Sequence, residues 1–203
     1  NTDGVGTCML PAKGGKHLTE MSRGEGSTAY DSMVGYTHFK GHSMGGYGGS
    51  LKNIGIGCAD GKVGKRMIHA KDGSQWGRTQ DEFMEAMTES AKAVVDHFGK
   101  RITFINVMKN MSVDCDCAGA SAAAPALADI GILGSTSLLA VDQATIDMIY
   151  ALTENKDGGL RERIESRHGP RQLPYMKHPG MGKGEYKLVS HAYRKTQNSR
   201  KRQ

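Results

Sequence analysis

The sequence predicts an α/β domain in which a mixed or mostly parallel sheet is flanked by helices and carries a glycine-rich site loop. Three segments support this fold class: an amphipathic helix over 78–98, a β-branched run directly after it, and a second strong helix that begins near Ser135. A helix that leads through a short turn into an apolar strand is typical of α/β folds. A chain of 203 residues can also bury one sizeable core.

The helix over 78–98 has the clearest pattern. Thr79 or Asp81 can cap it, and Gly99 can close it. Its apolar side chains recur at steps of three and four residues, which places them on one face; they are Phe83, Met84, Met87, Ala91, Val94, Val95 and Phe98.

The remaining elements are shorter. Residues 50–58 form either a short helix or a tight turn, because Gly55 and Gly57 make a regular helix costly. Asp142 lies on the second strong helix, where we expect a surface or capping acid. Predicted strands are Ser32–Phe39, Ile102–Met108, Asp129–Gly134 and an edge strand at Tyr186–Val189, and predicted helices run from Ser135 or Ser137 to about Leu152 and from Gly158 to Arg167.

Composition divides the chain into an irregular segment over 1–30, the α/β domain over 31–190 and a basic, disordered tail over 191–203. The net charge is +6, but the last ten residues carry five Lys or Arg and no acid. Such a tail is typical of a solvated chain end. Only Tyr193 offers an aromatic ring there, so we do not expect nucleic-acid binding.

The sequence also limits the class of protein. No window approaches eighteen uninterrupted apolar residues, so no transmembrane helix is expected. Four cysteines in 203 residues do not form a dense disulfide framework, which predicts a reducing cytoplasmic location. The start at Asn1 indicates a processed, truncated or incompletely read chain.

A glycine-rich segment, residues 37–65, is the first candidate site. Nine of its residues are glycine, and dense glycine indicates a close approach by the backbone. Its amides and lysines could bind an anion, but neither the dinucleotide fingerprint nor the P-loop motif is present. A packing loop with solvated lysines is the alternative. The predicted binding residues are Lys40, Gly45, Gly46, Gly48, Gly49, Lys52 and, downstream, His69.

Cysteine and histidine donors form the second candidate site. A disulfide between Cys115 and Cys117 would be strained, so a shared metal is chemically more natural. Together with His38, His42 and Cys58 they offer enough nitrogen and sulfur donors for zinc or an iron–sulfur cluster. The spacing matches neither a zinc ribbon nor a ferredoxin. Small cysteines packed beneath a loop are the alternative.

The motifs HFKGHSMGGYGGSLKNIGIGCADGKVGKRMIH, VDCDC and ADIGILGSTSLLAVDQATIDMIY resemble a bacterial and archaeal family of unknown function. Its members are often labelled uncharacterised iron–sulfur-centre proteins. The resemblance covers roughly residues 9–190 and indicates a branch without the ferredoxin-like insertion, because 70–79 contain no cysteine. It also implies that this chain corresponds to the C-terminal part of a longer protein.

Three functional hypotheses follow. The leading one is a metal- or iron–sulfur-associated redox protein whose site combines the H-x-K-G-H loop with the CDC loop. Its partner would be a small anionic ligand or a redox partner. The second is a non-redox domain that binds an anion, a nucleotide or flavin. The third is a fragment or subunit that needs a missing N-terminal half or forms a homo-oligomer.

Overall fold

A computed structural model describes residues 6–153 and 156–191. Its central sheet contains three strands in the order β3 (Met33–His38), β6 (Ile102–Met108) and β7 (Gly131–Ser135). β3 runs parallel to β6, with Met33 opposite Ile102, whereas β7 runs antiparallel to β6. The predicted α/β class with a mixed sheet is therefore confirmed.

Two small hairpins accompany this sheet. One pairs β1 (Thr7–Pro11) with β2 (Glu20–Gly24); the other pairs β4 (Lys40–His42) with β5 (Gly46–Gly48). The helices are α1 (Ser50–Gly57), α2 (Gly64–His69), α3 (Gln80–Phe98), α4 (Leu138–Tyr150), α5 (Leu160–Ser166) and α6 (Gln172–Lys177).

α3 forms where the apolar pattern predicts it. Thr79 and Glu82 make a reciprocal capping box, in which each side chain accepts a hydrogen bond from the other residue's backbone N–H. Gly99, at φ +57°, ends the helix. The inward residues of α3 include Met84, Met87 and Ala91, all fully buried, and they form one core with α1 and the sheet.

Some of the other predicted strands and helices match the structure, and others match it only in part. Residues 33–38 and 102–108 form strands, and Ser137 caps α4 as expected. β7 also forms, but alternate residues along it are exposed, so it is not the buried strand expected for 129–134.

Two expectations differ from the structure, and a third lies outside the described residues. The segment over 1–30 was expected to be irregular, but it contains the regular β1–β2 hairpin. Residues 186–189 form no strand. Of the predicted basic tail, only residue 191 falls within the described chain.

Among the described residues, every helix is too short or too polar to cross a lipid bilayer.

Candidate metal centre

His42 lies at the end of β4, where the chain turns into β5. Its Nδ1 accepts hydrogen bonds from the backbone N–H groups of Met44, at 3.1 Å, and Gly45, at 2.9 Å. These bonds place the proton of the neutral ring on Nε2. Nε2 lies 4.0 Å from Sγ of Cys117, so the hairpin turn aims one ring nitrogen at the CDC loop.

The CDC loop brings two thiols together. A 3₁₀ turn over Asp116–Ser121 follows Cys115, and the Cys117 N–H donates to Sγ of Cys115 at 3.3 Å. The two sulfur atoms are 2.6 Å apart and both cysteines are free thiols. One donor atom from each of His42, Cys115 and Cys117 lies within 4.8 Å of the others. Cys115 is buried and Cys117 is exposed, so the group opens to solvent at Cys117.

The aspartates of the CDC loop bind cations that hold the loop in place. Asp114 accepts hydrogen bonds from the backbone N–H of Ala123 and from Arg163 on α5, each at 2.9 Å, and these bonds lower its pKa. Asp116 pairs with Nζ of Lys40 at 2.9 Å. Burial acts to raise the pKa of Asp116, but hydrogen bonds from Lys40 and His38 lower it overall.

Two lysines place positive charge beside the thiols. Burial lowers the pKa of Lys52 on α1 and the charge of Lys40 adds to this, while Cys115, Cys117 and Asp116 oppose it. Burial, together with the hydrogen bond to Cys115, raises the pKa of Cys117, and Lys52 counteracts this. A cation beside a thiol favours the thiolate, the form that binds metals.

His42 stays neutral over the whole physiological pH range. Its side chain is almost fully buried, and this burial lowers its pKa to about 3, with further lowering by the charges of Lys52, Lys40 and Arg163. A neutral imidazole is the form that serves as a metal ligand. For the neutral ring to bind a metal through Nε2, its proton must move to Nδ1, and the hydrogen bonds from the Met44 and Gly45 N–H groups must then break.

The glycine-rich segment is packed closely against other parts of the protein. A Cβ atom on Gly41 would lie 2.0 Å from the Val113 carbonyl oxygen, next to the CDC loop. One on Gly46, at φ +73°, would lie 2.6 Å from Cα of Gly169. The predicted close approach of the backbone is present, and at these positions the neighbour is the protein's own backbone.

The predicted anion-binding glycines have different surroundings. Gly45, Gly46, Gly48 and Gly49 are all buried. A Cβ on Gly49 would meet the Asp142 carboxylate at 2.7 Å, whereas one on Gly48 would lie beside the Lys52 and Lys40 side chains at 3.4 and 3.6 Å. Gly48 is therefore the glycine of this group that adjoins the lysines.

Asp142 attaches this segment to the core. It is fully buried and accepts hydrogen bonds from the backbone N–H groups of Ser50 and Leu51 and from the Asn106 side chain, each at 2.8 Å. Burial raises its pKa, although these bonds oppose the shift. We expected a surface or capping acid. The surface position was wrong, whereas Asp142 does act as a cap, for α1 across a tertiary contact.

The other predicted donors lie outside the group of three. His38 contacts the Lys109 carbonyl at 2.8 Å and the Asp116 carboxylate at 3.2 Å, which occupies both its ring nitrogens. Cys58 ends α1, where burial raises its pKa and the charge of Arg23 lowers it. His69 bonds to the Lys65 carbonyl at 2.6 Å and packs against Trp76.

Arg163 and Asp142 support this site but were not predicted to do so. Arg163 lies within a charged run whose pattern predicts an ordinary solvated helix face. No local feature of the sequence distinguishes it from the other charged residues of that helix. For Asp142 a signal was present, because an acid between Val141 and Ala144 lies among residues expected to be buried.

Comparison with known protein families places the chain in one of unknown function. The family model described as a domain of unknown function, DUF362, matches residues 2–147, and the chain belongs to that family. The match includes His42, Cys115 and Cys117. No curated protein and no solved structure matches the chain.

Proposed function

We propose that this protein binds a thiophilic metal ion through Cys115, Cys117 and His42. The observation that supports this most directly is the convergence of two sulfur atoms and one imidazole nitrogen within 4.8 Å. Zinc and iron are among the ions that mixed thiolate and imidazole ligands favour. The partial exposure of Cys117 gives the ion a path from solvent.

The donor set favours a single ion over a cluster. Iron–sulfur clusters are usually held by four cysteine thiolates, and within the described residues the group offers two. Three protein ligands leave one position of a tetrahedral zinc site open, as in catalytic zinc sites. The bound ion would supply a Lewis acid or, if it is iron, a redox centre.

Lys40 and Lys52 supply the second part of the proposed function. Both lie beside the CDC loop, and Lys40 already binds the Asp116 carboxylate at 2.9 Å. Two cations next to an open coordination position would attract an anionic ligand and hold it there. The ligand class we propose is therefore a small carboxylate or phosphate.

Metal analysis of anaerobically purified protein tests the proposal. We expect about one equivalent of zinc or iron per chain and no acid-labile sulfide. Cys115→Ser and Cys117→Ser should each lose most of the metal, and Cys8→Ser, which lies outside the group, should retain it. Purified protein that stays metal-free when incubated with Zn²⁺ and Fe²⁺ would rule the proposal out.

A further inference from the structure

A basic groove lies along α2, on residues separate from the three proposed metal ligands. Its volume is about 650 Å³, within the range of pockets that hold small molecules, roughly 300–1,000 Å³. Its polar and aromatic lining consists of Lys62, Lys65, Arg66, His69, Gln75 and Trp76.

The cations of this groove outnumber the unpaired acids beside them. Lys62, Lys65 and Arg66 are exposed, and none forms an ion pair with another described residue. Asp60 is the acid that lies within the same segment. Asp60 accepts three backbone N–H bonds, from Lys62, Val63 and Gly64.

Two further acids lie near the groove. Glu82 pairs with Lys71 at 2.6 Å. Asp60 and Asp72, the latter on the neighbouring exposed turn, remain as two negative charges against the three cations. The groove therefore keeps a net positive charge that suits a polyanion such as a diphosphate.

An aromatic ring lies beside these cations. Trp76 is the only tryptophan of the chain, and 61% of it is exposed. The ring of His69 lies edge-on to it, with the ring centroids 4.9 Å apart. The Lys65 carbonyl occupies Nδ1 of His69, which fixes that ring as a wall of the groove. A planar ligand ring could therefore stack on the free face of the indole.

We propose that this groove binds a mononucleotide, with its phosphates on Lys62, Lys65 and Arg66 and its base against Trp76. Cations and a stacking ring within one groove match the two chemical parts of a nucleoside diphosphate. The glycine-rich segment is a poorer candidate for this ligand, because the protein's own atoms occupy the space at Gly41, Gly46 and Gly49.

Tryptophan fluorescence offers a direct test, because every change in emission reports on Trp76. ADP should quench the emission in a saturable way. Calorimetry on the full chain should then show that Lys65→Ala/Arg66→Ala raises the Kd for ADP at least tenfold and that Trp76→Ala raises it at least fivefold. Lys100→Ala, an exposed lysine after α3, is the matched control and should bind like wild type.

Three results would overturn the proposal. The first is a failure of the expected ADP binding, either as no binding at millimolar concentration or as unchanged affinity in the double variant. The second is inorganic pyrophosphate binding as tightly as ADP, which would leave no role for Trp76. The third is a single-stranded DNA decamer binding more tightly than ADP, which would indicate an extended strand as the ligand. Unchanged melting temperatures confirm that the variants are folded.

Discussion

Replacing Gly41 by alanine should separate the two halves of the proposed metal centre. The new Cβ would lie 2.0 Å from the Val113 carbonyl oxygen, whereas real Cβ contacts stay above 3.0 Å. The H-x-K-G-H loop and the CDC loop must therefore move apart by at least 3.0 − 2.0 = 1.0 Å at this point. The backbone bond from Gly41 N–H to the Ser112 carbonyl, 2.8 Å long, would stretch as well.

That displacement is several times the tolerance of a metal site, about 0.2 Å in ligand distance. His42 and the cysteines lie on opposite sides of the contact, so we expect Gly41→Ala to weaken metal binding at least tenfold. Overpacking should also lower the free energy of unfolding by about 1–3 kcal/mol.

Competition with a chromophoric chelator measures the metal affinity, and urea unfolding of the metal-free protein measures stability. Gly57→Ala is the matched control, because its Cβ would lie 3.6 Å from the nearest atom and alanine favours a helix over glycine by up to about 1 kcal/mol. Wild-type metal affinity in a folded Gly41→Ala protein would refute the reasoning.

Three further predictions concern stability and protonation. The pKa of His42 in the folded protein, about 3, lies below the ordinary value near 6.5. The neutral His42 side chain therefore stabilises the fold fully above pH 6.5, and this stabilisation is lost as pH falls toward 3. His42 alone should make unfolding of the metal-free protein cost about 2 kcal/mol less at pH 5 than at pH 7. His42→Asn should remove that part of the pH dependence and leave the part due to His69 and His97, whose pKa values burial also lowers. Asp142→Ala leaves the buried backbone N–H groups of Ser50 and Leu51 without their acceptor, whereas the Asn106 amide keeps its bond to Oγ1 of Thr145. Urea unfolding should show a loss of about 2–5 kcal/mol; a loss below 1 kcal/mol would contradict the capping role. Thr79→Ala removes the capping box of α3 and should cost about 1 kcal/mol by thermal unfolding, whereas an unchanged melting temperature would show that the cap is dispensable.

Local sequence patterns predicted the long elements because each of these segments itself contains the residues that define it. α3 carries its own cap and its own apolar stripe, and β6 is a continuous β-branched run. α1 remained ambiguous because glycines disfavour it locally. It forms with its first N–H groups bonded to Asp142, which is 92 residues from Ser50, and no local pattern contains that contact.

The donor set could be predicted only in part for a similar reason. Residue type identified His42, Cys115 and Cys117 as candidates, but it could not separate them from His38 and Cys58. The Lys109 carbonyl and Asp116 engage His38, and α1 carries Cys58 toward Arg23. Both outcomes depend on the packing of distant segments.

X-ray absorption spectroscopy of the metal-loaded protein tests the central claim most directly. We expect two sulfur ligands at about 2.3 Å and one imidazole nitrogen at about 2.0–2.1 Å, the usual zinc distances, with a lighter atom in the fourth position. His42→Asn should remove the imidazole signal and keep both sulfurs. A first shell of four sulfurs, or one without sulfur, would contradict the account.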